Sequence, residues 1–430
     1  MKIPPVKGTR DFYPPEMVVR NFIIDGWKAA SLRNGFEEYD GPIFEYLKMY
    51  QIKSGDEIAE QLFSLTDRGG RELAIRPEIT PTLARMVNQQ INSLARPIKW
   101  FSVPRLCRAE RPQKGRLREF FQWNIDIIGV DSVVADAEVI FCTIDYLRRI
   151  GLTERDIKAK ISCRCLLAEF LKQVGVPEKQ LDSIYPILDK RAKVPPEVFE
   201  AMLSEQISDS DAIKRINDFM AVDEIGQVCT LFGTNSDNVG DISHAIKNLE
   251  VLFDYLDRMG IGEYCVFDPS IVRGLAYYTG IVFEVHDAVG DLRAIAGGGR
   301  YDDLLKQFGG PEVSGTGMGM GDCVLEILLK ERGLLDNLPG SGLDYFVAYT
   351  DVQLLQKALE ITAKLRHKGK SVNFSYKSAG LGKQLKQASA QNAGVCVILG
   401  EELEQNRLVV KDMATGEQQV VDYEEFFAGL

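Results

Sequence analysis

The 430-residue sequence predicts an α+β protein in two parts. Three observations carry that expectation. Residues 98–129 and 266–286 each set short apolar runs around turn-forming Pro, Gly and Asp, the pattern of antiparallel strands joined by a loop. Between them, Leu166 to about Asp257 is largely helical in pattern. Beyond the linker LLDNLPGSG at Leu334–Gly342, strands and helices alternate as in a small α/β domain.

Composition narrows the class. Hydrophobic residues at 45% and charged residues at 26% are ordinary for a soluble globular protein, and the length allows two or three cores. A net charge of −11 argues against a protein that coats nucleic acid or anionic membrane indiscriminately, while a local basic patch could still meet phosphates. Eight cysteines in so long a chain are no disulfide framework. Only Cys163 and Cys165 are close together, none of the three histidines is nearby, and the spacing is wrong for a zinc clamp. Their alternation puts both thiols on one face of a strand beginning at Ala159. Reduced thiols point to the cytoplasm. The start, MKIPPVKGTRDFYPP, lacks the apolar run of a signal peptide, and no stretch is long enough to span a bilayer.

In chain order, Lys7–Pro15 is turn-rich and reads as a surface arm. From Pro15 to Asn34, Met17, Phe22, Ile23, Trp27, Ala30 and Leu32 recur at near-helical spacing, and Gly35 stops the helix. Phe36–Tyr46 is a strand broken at Gly41-Pro42. Phe63–Thr66 and Leu73–Ile75 form a hairpin around Asp67-Arg68-Gly69-Gly70. Arg76-Pro77-Glu78-Ile79-Thr80-Pro81 leads into a helix from Thr82 to about Gln90, with Pro81 in its first turn and Thr80 as its cap. Ala135–Arg149 is an amphipathic helix ended by Gly151. Asp268-Pro269-Ser270 and Thr279-Gly280 turn around two apolar segments, a further hairpin. Ala296–Asp302 (AGGGRYD) is a Gly-rich turn before a helix near Asp303. Gly315–Gly321 (GTGMGMG) is a Gly-rich strand feeding a helix over Asp322–Arg332. In the C-terminal part, strands are expected at Tyr345–Tyr349, Ser371–Phe374, Val395–Leu399 and Arg407–Lys411. Helices are expected at Val352–His367 and Leu381–Ala390.

The chemistry concentrates at Arg105–Asp126, RLCRAERPQKGRLREFFQWNID. Arg105, Arg108, Arg111, Lys114, Arg116 and Arg118 crowd this stretch. Guanidinium groups could grip phosphate there through charge-assisted hydrogen bonds worth about 1.5–3 kcal/mol each. A solvated charged hairpin explains the run equally well. Gln122, Asn124 and Asp126 alternate with apolar residues and so share one strand face. That face suits a polar ligand, such as an amino acid whose ammonium needs an acceptor, better than a dry core. Taken alone, Thr80 is a cap and Glu78 a surface ion-pair partner. Arg273 and Tyr278 are polar groups in an apolar stretch; an edge-strand arginine with its head in solvent is the plain alternative to a ligand contact. The glycines of AGGGRYD allow close approach to a ligand, or merely a tight turn.

RAERPQKGRLREFFQWNID strongly resembles the second signature motif of class II aminoacyl-tRNA synthetases, in the version carried by histidyl-tRNA synthetases. RGLAYYTGIVFE, Arg273–Glu284, resembles that family's histidine-specific motif, which other class II synthetases lack. Arg76–Thr80 matches its Arg-Pro-Glu-x-Thr element, and Gly315–Arg332 the third class II motif. The region from Asp344, including KQLKQA and VVKDMATGEQ, resembles its anticodon-binding domain. The resemblance covers nearly the whole chain. It departs at Ile79 and Pro81, where relatives commonly carry glycine and alanine, and at Ala276, in place of an aspartate. It departs also at Val324, where the third motif normally sets an arginine against ATP.

The resemblance implies an antiparallel class II sheet flanked by helices in residues 1–337, with a helical insertion at about 166–257. An α/β anticodon-binding domain would follow at 344–430. It implies a histidine–tRNA ligase that forms histidyl-adenylate from histidine and ATP, then charges tRNA(His). Neither step needs a protein nucleophile, so catalysis would rest on positioning and on cations placed where negative charge develops. Arg108 and Arg273 are expected at the α-phosphate as the catalytic residues. Arg108, Glu110 and Arg116 would hold ATP, with Mg2+ on its phosphates and no metal held by a protein site. Glu78, Ile79, Thr80, Arg108, Gln122, Asp126, Arg273, Tyr277 and Tyr278 would surround histidine, Asp126 at its ammonium. A homodimer is implied through the first signature motif, the helix and broken strand that end at Tyr46. The alternative is a catalytically silent paralogue, a histidine sensor or the regulatory subunit of ATP phosphoribosyltransferase, which the changes at Ala276 and Val324 keep open.

Overall fold

The computed structural model describes residues 3–54, 62–191, 194–232, 239–273, 278–290, 292–336, 338, 340 and 342–430. Two compact units emerge: Met1–Asp11 with Arg20–Asp336, and Phe12–Val19 with Asn337–Leu430.

The chain begins α1 (Pro14–Arg33), β1 (Glu37–Glu38), β2 (Phe44–Tyr46), α2 (Leu47–Ser54), β3 (Ser64–Thr66), β4 (Glu72–Ile75), α3 (Thr80–Gln90), β5 (Ile98–Ser102), β6 (Arg105–Cys107), β7 (Glu119–Ile128) and α4 (Val134–Arg149). After β8 (Ile157–Cys163) comes the helical stretch α5 (Arg164–Gln173), α6 (Leu181–Leu188), α7 (Pro196–Ser204), α8 (Ser210–Phe219), α9 (Ile225–Phe232) and α10 (Val239–Arg258). The larger unit closes with β9 (Cys265–Phe267), β10 (Ile281–Asp287), β11 (Ala296–Arg300), α11 (Leu304–Gln307), β12 (Gly315–Gly321) and α12 (Asp322–Glu331).

Its main sheet runs β1-β5-β7-β12-β11-β10-β8-β9, with β6 added to β7. The interior pairs are antiparallel, as expected, while β1–β5 and β8–β9 at the edges are parallel. β2, β4 and β3 make a small separate sheet.

β7 shows why this sequence gives a two-faced sheet. Trp123, Ile125 and Ile127 are buried on one face, where Trp123 stacks on Trp27 of α1 at 6.3 Å and meets Tyr146 of α4 edge-on at 5.5 Å. The indole N–H of Trp123 donates to Ser31 Oγ at 2.8 Å, so its one polar atom is satisfied. At about 25 cal/mol per Å² over roughly 150–250 Å² for each ring, this seam contributes several kcal/mol. The other face is left to Gln122, Asn124 and Asp126.

Four local expectations need correction. The segments of 266–286 do not form a hairpin with each other: β9 pairs parallel with β8 and β10 antiparallel with it, so β8 lies between them. AGGGRYD is not a turn; Ala296–Arg300 is the buried strand β11, held on both sides by β10 and β12. Thr80 is the first residue of α3 rather than its cap, which is Ile79, with no side-chain capping bond. Cys163 ends β8 while Cys165 lies in α5, so they do not share a strand face, although their sulfurs are 2.7 Å apart.

The smaller unit runs β13 (Tyr345–Tyr349), α13 (Leu355–His367), β14 (Val372–Phe374), α14 (Leu381–Ala390), β15 (Val395–Leu399), β16 (Arg407–Asp412), β17 (Gln418–Asp422) and α15 (Tyr423–Ala428). Its sheet order is β14-β13-β15-β16-β17, the first three strands parallel. Period-two alternation sends Val347 and Tyr349 to α13 and α15, and Phe346 and Ala348 to α14. β17 and α15 lie beyond the expected last strand. QQVVD has too little apolar pattern to mark a strand. Asp422 caps α15 by accepting from the Glu424 and Glu425 N–H groups.

Candidate active site

The polar face of β7 is open because its neighbour lacks side chains. In GTGMGMG, Met318 and Met320 are buried while the alternate glycines lie against β7. A Cβ on Gly317 would stand 2.2 Å from Asp126 Oδ1, and one on Gly319 2.9 Å from the Gln122 amide. Glycine there is what lets Gln122 and Asp126 occupy the floor of a cleft. Asp126 is 4% exposed and accepts a hydrogen bond from the Tyr301 hydroxyl, which follows β11. Burial, and next the Asp126 carboxylate, push the Tyr39 hydroxyl well above its ordinary value, so this phenol stays neutral.

Around this floor lie Glu78 from the approach to α3, Thr80 from its first turn, Arg108 from the loop after β6, and Arg273 and Tyr278 before β10. Arg76 fixes the first of these segments: its guanidinium donates to Asp40 Oδ1 (2.6 Å), Gly41 O (2.8 Å) and Arg105 O (3.2 Å). Arg108 donates from Nε to Pro77 O at 3.2 Å, and its guanidinium lies 5.0 Å from the Phe120 ring centre. Arg108 is thereby held at the cleft rather than left to solvent.

Arg273 stands at φ +57°, the left-handed region that residues with a Cβ seldom enter. Its Nη1 donates to Glu284 Oε1 at 2.9 Å, and the other oxygen of Glu284 lies 2.9 Å from His286 Nε2. A fixed acid therefore holds this arginine, which also lines the cleft. A Cβ on Gly297 would fall 1.9 Å from Arg273 Nη1, so the guanidinium lies over bare strand.

Among the described residues the cleft gathers Glu78, Thr80, Arg108, Gln122, Asp126, Arg273 and Tyr278 of the expected set. Ile79 is not with them: its side chain is fully buried in the apolar core beside Leu83 and Val87. Glu110 and Arg116 pair with each other outside the cleft lining. Tyr277, like Ala276, lies outside the described residues. Val324 is buried in the first turn of α12, where a Cβ on Gly115 would come within 3.1 Å of it, so the loop over Arg108–Arg118 packs down on this valine. Asn124, Tyr301, Gly297, Gly317, Met318 and Gly319 also line the cleft. The alternate glycines of GTGMGMG were a visible signal for this; Tyr301 gave none beyond its place after the glycine run. Arg300, in that same run, is structural: it donates to Asp136 Oδ2 at 2.6 and 3.0 Å and to the carbonyls of Val130 and Ser132.

An antiparallel sheet with a polar floor and two guanidinium groups beside it, Arg108 and Arg273, is the arrangement that the resemblance to class II synthetases leads one to expect. The family model for histidyl-tRNA synthetase matches residues 8–321, and that for an anticodon-binding domain matches residues 344–430. The chloroplastic/mitochondrial histidine–tRNA ligase of Arabidopsis thaliana is 41% identical over 96% of this chain and 84% of its own length. That of Opitutus terrae is 39% identical over 97% and 95%. The crystal structure of histidyl-tRNA synthetase from Nostoc sp. superposes with a TM-score of 0.83 at 23% identity, covering both chains fully. A Bacillus halodurans structure described as an ATP phosphoribosyltransferase regulatory subunit/histidyl-tRNA synthetase gives 0.76 at 22% identity, over 93% of this chain and 98% of that one. The chain belongs to the histidyl-tRNA synthetase family.

Proposed function

We propose that the chain is a histidine–tRNA ligase, activating histidine with ATP and transferring it to tRNA(His). The observation that carries this reading is one cleft holding two guanidinium groups, Arg108 and Arg273, against a floor of acceptors, in a chain of this family. Histidine's carboxylate attacks the α-phosphate of ATP and pyrophosphate leaves. The negative charge that builds on that phosphate is met by Arg273 and Arg108, held in place before the reaction. Glu78, Thr80, Gln122 and Asp126, with Tyr278, hold histidine, the two acids accepting from its ammonium and imidazole N–H groups. A pocket that hydrogen-bonds its substrate in this way rejects analogues lacking those donors by ~10⁴–10⁵. The adenylate then passes to the 3′-terminal ribose of the tRNA.

ATP is taken with its magnesium as substrate, and Glu110 and Arg116 are the proposed contacts for its remainder. The smaller unit is proposed to bind the anticodon arm, which the match to an anticodon-binding domain supports. No helix among the described residues is long and apolar enough to cross a membrane. A cytoplasmic setting is proposed, supported by the free thiols of Cys107, Cys142, Cys163, Cys165, Cys265, Cys323 and Cys396. A homodimer is proposed as well, supported by an exposed apolar face on the β2-β4-β3 sheet.

ATP–pyrophosphate exchange with each amino acid in turn tests the activity. Histidine alone is expected to support exchange. Histidine binding without exchange at any magnesium concentration would leave the sensor reading instead.

A further inference from the structure

Arg164 opens α5 with only 5% of its surface exposed, and it does not line the cleft. Its Nη1 donates to the carbonyl oxygens of Val272 at 2.8 Å and of Arg273 at 3.0 Å. These oxygens belong to the two peptide groups that flank the Arg273 Cα, so one nitrogen grips the backbone on both sides of that residue. On its other side the Arg164 guanidinium carbon lies 3.3 Å from the centre of the Tyr185 ring, which belongs to α6 of the helical stretch.

A buried guanidinium is a costly way to hold a loop, since burial disfavours its charge. Indeed burial pulls the Arg164 pKa below the ordinary arginine value, against the opposing pull of Tyr185 and Asp182. What the site gains is a restraint on Arg273, whose backbone at φ +57° lies in a sparsely populated region that persists only where the surrounding structure holds it. Glu284 restrains the side chain; Arg164 restrains the main chain from which that side chain springs.

We propose that Arg164 is a positioning residue for histidine activation. It holds the backbone of Arg273 so that the guanidinium stays aimed into the cleft, and through Tyr185 it ties that aim to the packing of α6. This rests on the reading of Arg273 as the α-phosphate contact.

The test is histidine-dependent ATP–pyrophosphate exchange by the full chain carrying Arg164→Ala, Arg164→Lys, Tyr185→Leu, Arg273→Ala, and the Arg164→Ala/Arg273→Ala pair. Misaiming a reactive-site group by an ångström costs up to ~10²-fold, so Arg164→Ala is expected to lower the maximal exchange rate by ~10–100-fold. The KM for histidine should change by less than about threefold, because the loss falls on the transition state. Arg164→Lys should recover part of the rate, and Tyr185→Leu should lower it in the same direction. In the Arg273→Ala background, Arg164→Ala should cause no further loss, since it acts through the group already removed. A wild-type rate for Arg164→Ala, or a full-sized additional loss on top of Arg273→Ala, overturns the proposal. If Arg164→Ala does not fold, Tyr185→Leu in the two backgrounds decides by the same comparison. Undiminished exchange by Arg273→Ala alone would instead remove the reading of Arg273 itself.

Discussion

The three consecutive glycines of β11 do different work. A Cβ on Gly297 would find only the Arg273 guanidinium as its nearest neighbours, with Nη1 at 1.9 Å. A Cβ on Gly298 would strike the backbone oxygen of Gly317 at 2.2 Å, and one on Gly299 that of Ile281 at 2.5 Å. A flexible side chain can move aside; a paired strand cannot. Gly297→Ala is therefore expected to melt near wild type while losing ~10–100-fold in exchange rate through a displaced Arg273. Gly298→Ala should instead destabilise the fold by about 1–3 kcal/mol, as overpacking does. Thermal melts alongside exchange assays separate the two; equal melting losses in both variants would make Gly297 another packing glycine. The sequence showed three glycines and a reason for close approach. It could not show which one faces an arginine, because β10 lies between that arginine and the strand in sequence.

At the scale of elements, the small β2-β4-β3 sheet presents an apolar face. Phe44 stands opposite Ile75, and Tyr46 and Leu65 stand on either side of Leu73, so all five share one side. Phe44, Tyr46 and Leu65 are exposed, as are Ile43 and Ile52 nearby. Contiguous exposed apolar surface of this kind marks an interaction site more often than a solvated one. A Phe44→Lys/Leu65→Lys double variant should retain its fold and halve the mass seen by sedimentation. A wild-type chain that sediments as a monomer at micromolar concentration would sink the dimer. The strands themselves were legible from β-tolerant runs around Asp67–Gly70. The wrong hairpin at 266–286 shows where that logic stops: β10 takes β8 as its partner, Ile281 opposite Cys163, more than a hundred residues away. Local turn chemistry identifies strands that pair with their sequence neighbours and is silent on the rest.

At the scale of the molecule, the basic residues after the linker do not form one patch. Lys364, on α13, lies over the Tyr423 and Phe427 rings at 4.8 and 5.3 Å, and Arg366 donates to Val372 O. Lys377, Lys383 and Lys386 are exposed in or just before α14, which packs on the opposite sheet face. Exposed Tyr376, its ring tilted against that of Phe374 at 4.6 Å, precedes Lys377 and offers a surface for a base. Replacing Lys377, Lys383 and Lys386 by glutamine should weaken tRNA charging and flatten its salt dependence, each lost phosphate contact removing about one unit of slope. Histidine-dependent exchange should not change. Equal loss of both activities would show that these lysines do not serve tRNA. Substitution is a cleaner test than deleting residues 344–430, because residues 12–19 group with that unit.

By itself the sequence determined the two-part α+β plan, the polar face of β7, and the charged residues that line the cleft. Those are local properties: period-two alternation, Gly and Pro punctuation, and side-chain types whose chemistry is the same wherever they sit. Only the tertiary structure decided that Ile79 turns into the core while Glu78 and Thr80 turn out. It likewise decided that Tyr301 reaches Asp126, and that Arg273 is braced by Glu284 from β10 and Arg164 from α5. Such choices depend on which distant strand supplies the neighbouring atom. A buried polar group takes the partner that folding brings to it, and chain order does not encode that partner.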